Sequence, residues 1–332
     1  MTPDFPKQVV HGGSGKRQQE KTQKKVLDFS ASVNPFIPPF EWVCDTVPLA
    51  CYPDNDYSRL KEAIARTFHR KPEEICVGNG SIELIRVFCS VAFRKNRNYF
   101  CESPTFGEYE LSAQLAGASP APGPHQAGVF FICNPNNPTG NLRKKEEITE
   151  ELSAMSSHGG TLFCDEAFID LSDPRESVSG ICDPHLFVLQ SLTKSFAVPG
   201  LRFGYGFGDP DLIEKIEICR PPWSVNAYAE SFALQAFNHR EELGKSRTLI
   251  TREREWLSEH LTALGLHPRP SSANYILIDF GYAVSPLCEK LAGYDILVRD
   301  CTSFGLPRSV RIAVRTQEEN RIFMEALAAC LP

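Results

Sequence analysis

Between about residues 99 and 208, short apolar runs alternate with polar stretches of helical character. Val129–Cys133, Thr161–Cys164 and Leu186–Gln190 are the strand candidates, and the charged helical stretch Lys144–Ser156 separates the first two. A chain that alternates in this way must cross back over its own sheet, so the pattern predicts an α/β fold built on a parallel sheet. Ligands of such sheets bind beyond the carboxyl ends of the strands. Each candidate strand delivers a different chemical group to that edge. The first runs into Asn134-Pro135-Asn136-Asn137-Pro138-Thr139-Gly140, a rigid turn presenting the amide of Asn137. The second ends in Asp165, and the third in the loop that carries Lys194.

Lys194 lies in Ser191-Leu192-Thr193-Lys194-Ser195-Phe196-Ala197-Val198-Pro199-Gly200-Leu201-Arg202-Phe203-Gly204. A lysine among hydroxyl residues, with Arg202 following in a glycine-bounded turn, suits one task. Its amine condenses with an aldehyde cofactor, while Ser191, Thr193 and Arg202 hold that cofactor's phosphate. Such an amine must be partly desolvated and close to positive charge, so that it is free to attack. A pyridine ring draws electrons only while its nitrogen stays protonated, which an ionised Asp165 secures. The ring oxygen wants a neutral donor, Asn137. The phosphate wants main-chain N–H groups at a helix N-terminus. Gly78-Asn79-Gly80-Ser81-Ile82-Glu83 supplies that cup, with Ser81 able to cap the following helix. Phe106, in Ser103-Pro104-Thr105-Phe106-Gly107, can cover a ring face. Each run alone also reads as a surface loop, a turn or a helix cap. Their joint order and spacing make the signal.

In that order and spacing the motifs resemble the fold-type I pyridoxal-phosphate (class I/II aminotransferase) superfamily over essentially the whole chain. The resemblance is to the branch holding histidinol-phosphate aminotransferases and threonine-phosphate decarboxylases. Within it, His11-Gly12-Gly13, Asp28-Phe29-Ser30-Ala31-Ser32-Val33-Asn34-Pro35, Tyr52-Pro53-Asp54-Asn55-Asp56-Tyr57, Pro222-Trp223-Ser224-Val225-Asn226 and Phe rather than Tyr at 168 favour the decarboxylases. The family likeness implies a large domain with a mostly parallel sheet and a small α+β domain. It divides the chain into an N-terminal arm at 1–45, a cofactor-binding large domain at 46–230, and a bridging helix with the small domain at 231–332. Pyridoxal 5'-phosphate is the implied cofactor. Lys194 then matches the lysine that carries it, Asp165 the ring-nitrogen partner and Asn137 the ring-oxygen donor. Ser191, Thr193, Arg202 and the Gly80, Ser81 and Ile82 amides match phosphate ligands. Tyr52 matches a tyrosine that reaches the neighbouring subunit's cofactor phosphate, which implies a homodimer. Arg311 matches the arginine for the substrate carboxylate and Arg299 a residue near the substrate phosphate. His11 resembles a further phosphate contact and Asn34 a substrate-side residue. For the two arginines a protein carboxylate is the competing partner, since an unpaired buried charge is costly. For His11 and Asn34 the competing role is loop capping. The implied reaction is decarboxylation of L-threonine 3-O-phosphate to (R)-1-aminopropan-2-yl phosphate for cobalamin biosynthesis. The alternative is transamination of histidinol phosphate or a related amino acid.

The remainder of the chain sets expectations and exclusions. The first 50 residues read as an irregular arm, with the basic stretch Lys16–Lys25 as a solvated loop. Helical periodicity covers Tyr57–Phe68 and Ser81 to about Phe93, and a long weakly amphipathic region runs from about Ala227 to Leu264. Asn274–Phe280, Ile296–Arg299 and Val310–Val314 read as strands, and Glu318–Ala329 as a closing helix. Ala116–Gly128 is too short for a full crossover. A net charge of −6 argues against nucleic acid or an anionic membrane as partner, so any anion site must be a local cluster of cations. A non-catalytic cofactor-binding sensor would carry a DNA-binding segment, and no basic helix-turn-helix pattern is present. Twelve cysteines without a C-x-x-C pair read as small buried hydrophobes in a reducing cytosol, with no disulfide framework and no metal site. Lacking an N-terminal apolar h-region or an apolar run of about 18 residues, the protein is expected in the cytoplasm. Gly13-Ser14-Gly15-Lys16 lacks the earlier glycine, the hydroxyl residue after lysine and the preceding strand of a phosphate loop.

Overall fold

The apolar runs do become strands in a computed structural model, which describes residues 5–44 and 47–331. Among the described residues the strands are β1 Leu27–Asp28, β2 Ile75–Gly78, β3 Asn98–Cys101, β4 Ser119–Pro120, β5 Val129–Cys133, β6 Thr161–Asp165, β7 Leu186–Gln190, β8 Gly204–Phe207, β9 His267–Pro268, β10 Tyr275–Asp279, β11 Ile296–Leu297, β12 Arg299–Asp300 and β13 Ser309–Ala313. The boundary expected between residues 45 and 46 falls on residues outside those described.

Seven strands form one sheet in the order β2-β8-β7-β6-β5-β3-β4. From β4 to β7 the pairing is parallel. Every residue of β5 and β7 is buried, as befits strands covered on both faces. The helix Lys145–Ser157 fills the crossover between β5 and β6. β8 enters antiparallel between β2 and β7. Its four residues, Gly-Tyr-Gly-Phe, carry too little apolar pattern to announce a strand. One face of the sheet packs on the helix Ser81–Ala92 through edge-on and tilted aromatic contacts. Phe88 lies 4.7 Å from Phe163 and 5.0 Å from Phe187.

A second sheet, β12-β13-β10-β9, is antiparallel. The run expected as one strand over Ile296–Arg299 is two. β11 pairs in parallel with β1 of the N-terminal arm, and β12 then switches to β13. That switch sets Arg299 directly opposite Arg311.

Two other expectations change. The region Ala227–Leu264 is not one helix but Ala227–Ala236, a 3₁₀ segment Phe237–Glu242 and Leu243–Ala263. At the break Arg240 pairs with buried Asp170 at 2.7 Å and lies 4.4 Å from the Phe68 ring, while Phe237 packs edge-on against Tyr205. These anchors tighten the turn locally. The basic stretch expected as a loop contains a helix, Gly15–Thr22, capped by left-handed Gln23 and tethered by Gly15 N–H donating to Asp28 Oδ2 at 2.8 Å. Its residues are good helix formers with no apolar stripe, so periodicity is silent there.

Cys76, Cys89, Cys133, Cys164, Cys301 and Cys330 are buried thiols, whereas Cys51 and Cys182 are exposed, so the expectation of small buried hydrophobes holds for only part of the set. Among the described residues no helix is long and apolar enough to cross a membrane.

Phe88→Ala should cost about 3–5 kcal/mol, because the cavity left between helix and sheet cannot close against strands packed on both faces. Urea unfolding measures it. A loss under about 1 kcal/mol would mean that this face is loosely packed.

Candidate active site

At one edge of the large sheet the carboxyl ends of β2, β5, β6 and β7 each hand the chain to a loop. Together with the N-terminal segment and the small sheet, those loops enclose a cavity of about 850 Å³. Its lining includes Ser81, Ile82, Phe106, Asn137, Asp165, Ser191, Thr193, Lys194, Arg202, Arg299, Arg311 and His11. Gly80, Tyr52 and Asn34 are not in contact with it.

Lys194 sits on the short helix Leu192–Ser195, whose first turn is capped when Ser191 Oγ accepts from Thr193 N–H at 3.2 Å. Its Nζ makes no hydrogen bond or ion pair among the described residues and lies 5.6 Å from the centre of the Phe168 ring. Burial, then the charges of Arg311 and Arg202, bring its pKa down to about 8. At pH 7 roughly a tenth of the amine is then neutral, against a few parts in ten thousand for a free lysine. The loop is held from behind by Asn34. That residue's N–H donates to the Lys194 carbonyl at 2.9 Å and its Nδ2 to the Ser195 carbonyl at 2.8 Å. Its Oδ1 accepts from Phe36 N–H at 2.9 Å. With its side chain fully engaged, Asn34 positions the lysine and does not face a substrate.

Asp165, at the end of β6, is 4% exposed. Its Oδ2 accepts from Tyr109 Oη at 2.7 Å and its Oδ1 from Ala167 N–H at 2.9 Å. Burial pushes its pKa up, while Tyr109, the Ala167 N–H and the Lys194 charge oppose the rise. Asn137 uses its carbonyl oxygen to accept from Arg311, which leaves its NH₂ for a ligand.

The anion cup forms where β2 leads into the helix Ser81–Ala92. Gly80, at φ 80°, is the N-cap, and Ser81 makes no capping bond, contrary to expectation. A Cβ on Gly80 would collide with Arg202 Nη2, and one on Gly204 would lie 2.5 Å from Ser81 N. Both glycines thus let Arg202 and β8 close on the helix N-terminus. Arg202 itself is left-handed (φ 61°) and donates to the Pro199 carbonyl at 3.1 Å.

Arg299 and Arg311 are opposed residues on β12 and β13. Arg311 donates to Asn137 and to the Ser30 carbonyl (2.9 Å), lies 5.0 Å from the Tyr275 ring and has a buried Nε without a partner. Arg299 donates to the Val10 carbonyl at 2.7 Å and Ser303 Oγ at 2.6 Å, against the Phe304 ring at 5.0 Å. Neither has a carboxylate partner among the described residues. Burial is the main cause lowering both pKa values. Like charges facing each other across a strand pair are themselves unfavourable.

His11 donates to Glu108 at 2.9 Å, and Glu108 also binds Arg86 at 2.7 Å. Phe106 stands edge-on to Tyr109, with ring centres 5.5 Å apart. Tyr52 is 78% exposed and stacks on Trp223 at 4.5 Å. Tyr109 was missed in the sequence. Its signal is weak: an aromatic three residues after Phe106, at the start of the helix Glu108–Leu115.

A desolvated amine, a buried acid, a glycine-lined helix N-terminus and three arginines without carboxylate partners fit an aromatic aldehyde phosphate together with a further anion. Comparison with known proteins agrees. Residues 24–327 match the model of the family "Aminotransferase class I and II". A relative from Caldanaerobacter subterraneus subsp. tengcongensis, named "Putative threonine-phosphate decarboxylase", is 35% identical over 90% of this chain and 88% of its own. A histidinol-phosphate aminotransferase from Symbiobacterium thermophilum is 30% identical over 84% of this chain and 82% of its own. The histidinol-phosphate aminotransferase structure from Clostridium acetobutylicum superposes with a TM-score of 0.81, at 28% identity, covering 92% of this chain and 98% of that one.

The Lys194 environment makes a direct prediction. After reductive ¹³C-methylation of the ligand-free protein, the resonance that disappears in Lys194→Ala should titrate near pH 8, losing its proton well below the other lysines. A midpoint above about 10 would contradict the desolvated, cation-flanked site.

Proposed function

The chain belongs to the aminotransferase class I and II family, and we propose that it decarboxylates L-threonine 3-O-phosphate to (R)-1-aminopropan-2-yl phosphate. The observation that carries this reading is the opposed pair Arg299–Arg311, two buried guanidinium groups with no carboxylate partner among the described residues. Cations held on directly opposed residues suit a ligand whose own anions are only a few bonds apart. L-Threonine 3-O-phosphate carries its carboxylate and its phosphate ester on adjacent carbons. Arg311 takes the carboxylate and Arg299 the phosphate, with His11 beside it. The likeness to the Caldanaerobacter protein supports the same substrate. Histidinol phosphate has a phosphate but no carboxylate, so in transamination Arg311 would serve only the amino donor. That second reading draws on the Symbiobacterium and Clostridium likenesses.

Pyridoxal 5'-phosphate is the cofactor. The Gly80, Ser81 and Ile82 amides, Ser191, Thr193 and Arg202 would hold its phosphate. Asn137 would take its ring oxygen, Asp165 its ring nitrogen, Phe106 one ring face and Lys194 its aldehyde carbon. Bound there, it supplies an aldehyde for amines and a protonated ring that draws in the electron pair of a bond broken at Cα. Lys194 is neutral often enough at pH 7 to form that attachment. Released when the substrate's α-amine takes its place, Lys194 Nζ would be free to accept the proton that the substrate's ammonium gives up. Arg311 and Arg299 fix the substrate's two anions, and with them the rotation that selects which Cα bond breaks. If CO₂ is lost, Cα would need one proton, and Lys194 Nζ, carrying the proton given up by the substrate's α-ammonium, would be the group placed to deliver it. Tyr52, exposed beside Trp223, would complete the phosphate cup of a second copy, making the working form a homodimer. A cytoplasmic role in cobalamin biosynthesis accords with this reaction.

Purified enzyme given L-threonine 3-O-phosphate should release CO₂. Given histidinol phosphate and 2-oxoglutarate, it should form no glutamate. The reverse result overturns the decarboxylase reading. Arg299→Gln should raise KM for the phosphorylated substrate about tenfold or more, in keeping with the loss of a charged hydrogen bond, while the bound-cofactor absorbance stays unchanged. An unchanged KM would remove Arg299 from the substrate site.

A further inference from the structure

We propose that Tyr109 is a positioning residue for the cofactor's ring nitrogen: through its hydrogen bond it fixes Asp165 as an anion and keeps the shared proton on the ring. The inference rests on the reading of Asp165 as the ring-nitrogen partner.

Tyr109 Oη donates to Asp165 Oδ2 at 2.7 Å, and both residues are buried. The phenol cannot readily turn elsewhere. Its ring stacks on Phe131 (5.4 Å, 7°) and meets Phe106 edge-on at 5.5 Å and Phe163 at 6.1 Å. With Ala167 N–H on Oδ1, the carboxylate has one donor on each oxygen, and the remaining lone pairs are left for a ligand. Asp165 and a pyridine nitrogen compete for one proton. A hydrogen bond to the carboxylate stabilises its charged form, weakens it as a base and leaves the proton on the ring. Burial alone drives the other way, raising the Asp165 pKa.

The other titratable groups around Asp165 do not replace this donor. Lys194 lies near without an ion pair and is committed to the aldehyde in the loaded enzyme. Burial pushes the Cys133 thiol up to about 12 and raises Cys164 and Tyr275 well above their ordinary values, so all three stay neutral. Tyr109, also pushed up by burial, donates without bringing a charge. A cationic donor would cancel the negative charge that the pyridinium needs. The same ring braces Phe106, so one side chain couples the ring-face contact to the ring-nitrogen contact.

Tyr109→Phe keeps the ring packing and deletes the donor. The test loads wild type, Tyr109→Phe and Asp165→Asn with ¹⁵N-ring-labelled pyridoxal 5'-phosphate, then records the ring-nitrogen resonance against pH and the cofactor dissociation constant. In Tyr109→Phe the resonance should move toward that of neutral pyridine, and the dissociation constant should rise about tenfold or more, as for lost outer-shell partners elsewhere. Site-specific 3-fluorotyrosine at 109, a stronger donor in an intact fold, should hold the neutral-pH resonance at or beyond its wild-type pyridinium position and covers the case of a poorly folded Phe variant. A Tyr109→Phe protein with wild-type resonance and affinity overturns the proposal, as does a fluorotyrosine resonance displaced toward neutral pyridine. If Asp165→Asn itself leaves the resonance unchanged, the reading of Asp165 falls instead.

Discussion

The cations Lys194, Arg202, Arg299 and Arg311, with Lys7, share one cavity without an ion pair among the described residues. Three carboxylates line the same space, but each is already engaged. Asp28 accepts from Gly15 and Ser30, Glu110 from Tyr99 and Gln114, and Asp165 from Tyr109 and Ala167. Of the cations, Arg299 and Arg311 are buried, and an uncompensated buried charge costs several kcal/mol. The fold must supply that energy from elsewhere, and it does so through two packed cores on the faces of the large sheet. A ligand bearing anions would offset part of that cost on binding.

The arginines are also structural joints of the N-terminal segment. Arg299 donates to the Val10 carbonyl and Arg311 to the Ser30 carbonyl. Ser30 in turn accepts from Gly13 N–H at 2.8 Å, and the same region holds Gly15 through Asp28. The segment that covers the cavity mouth is thereby fastened to the groups that would read the substrate. Asn34, one loop further on, ties this arm to the back of the lysine helix. Hydrogen bonds thus link the N-terminal segment, the two arginines and the lysine helix.

The cofactor cradle was legible in the sequence because its groups sit at strand ends, where short apolar runs stop at an abrupt polar residue. Asn137, Asp165 and Lys194 follow β5, β6 and β7 in this way, and the cavity brings all three together. What stayed hidden lacks a periodic signature. β8 has two glycines in four residues, and the helix Gly15–Thr22 has no apolar stripe. The partner switch between β11 and β12 depends on which strand lies alongside, which no local pattern encodes. Tyr109 and Asn34 act through hydrogen bonds to residues 56 and 161 positions away, so their roles exist only in the folded chain. Ser81 followed the opposite course. Its residue type promised a cap, but the close approach of β8 and Arg202 needed glycine at that turn, and Gly80 took the position.

This division explains why the chemistry of the cofactor was easier to read than the choice of reaction. On the proposed reading the large-sheet edge would hold the ring, its proton and its phosphate, and those requirements are common to every bond that can break at Cα. The choice lies in which substituent stands perpendicular to the ring, and that is set by the groups gripping the substrate's far ends. Arg311 and Arg299 belong to the small sheet, and their separation is fixed by the pairing of β12 with β13. A substrate whose two anions match that spacing is held at both ends, and its rotation at Cα is no longer free. One with a single anion keeps that rotation. On the proposed substrate reading, the choice of reaction would follow from the register of two short strands, while the cradle on the other side of the cavity would serve either reaction.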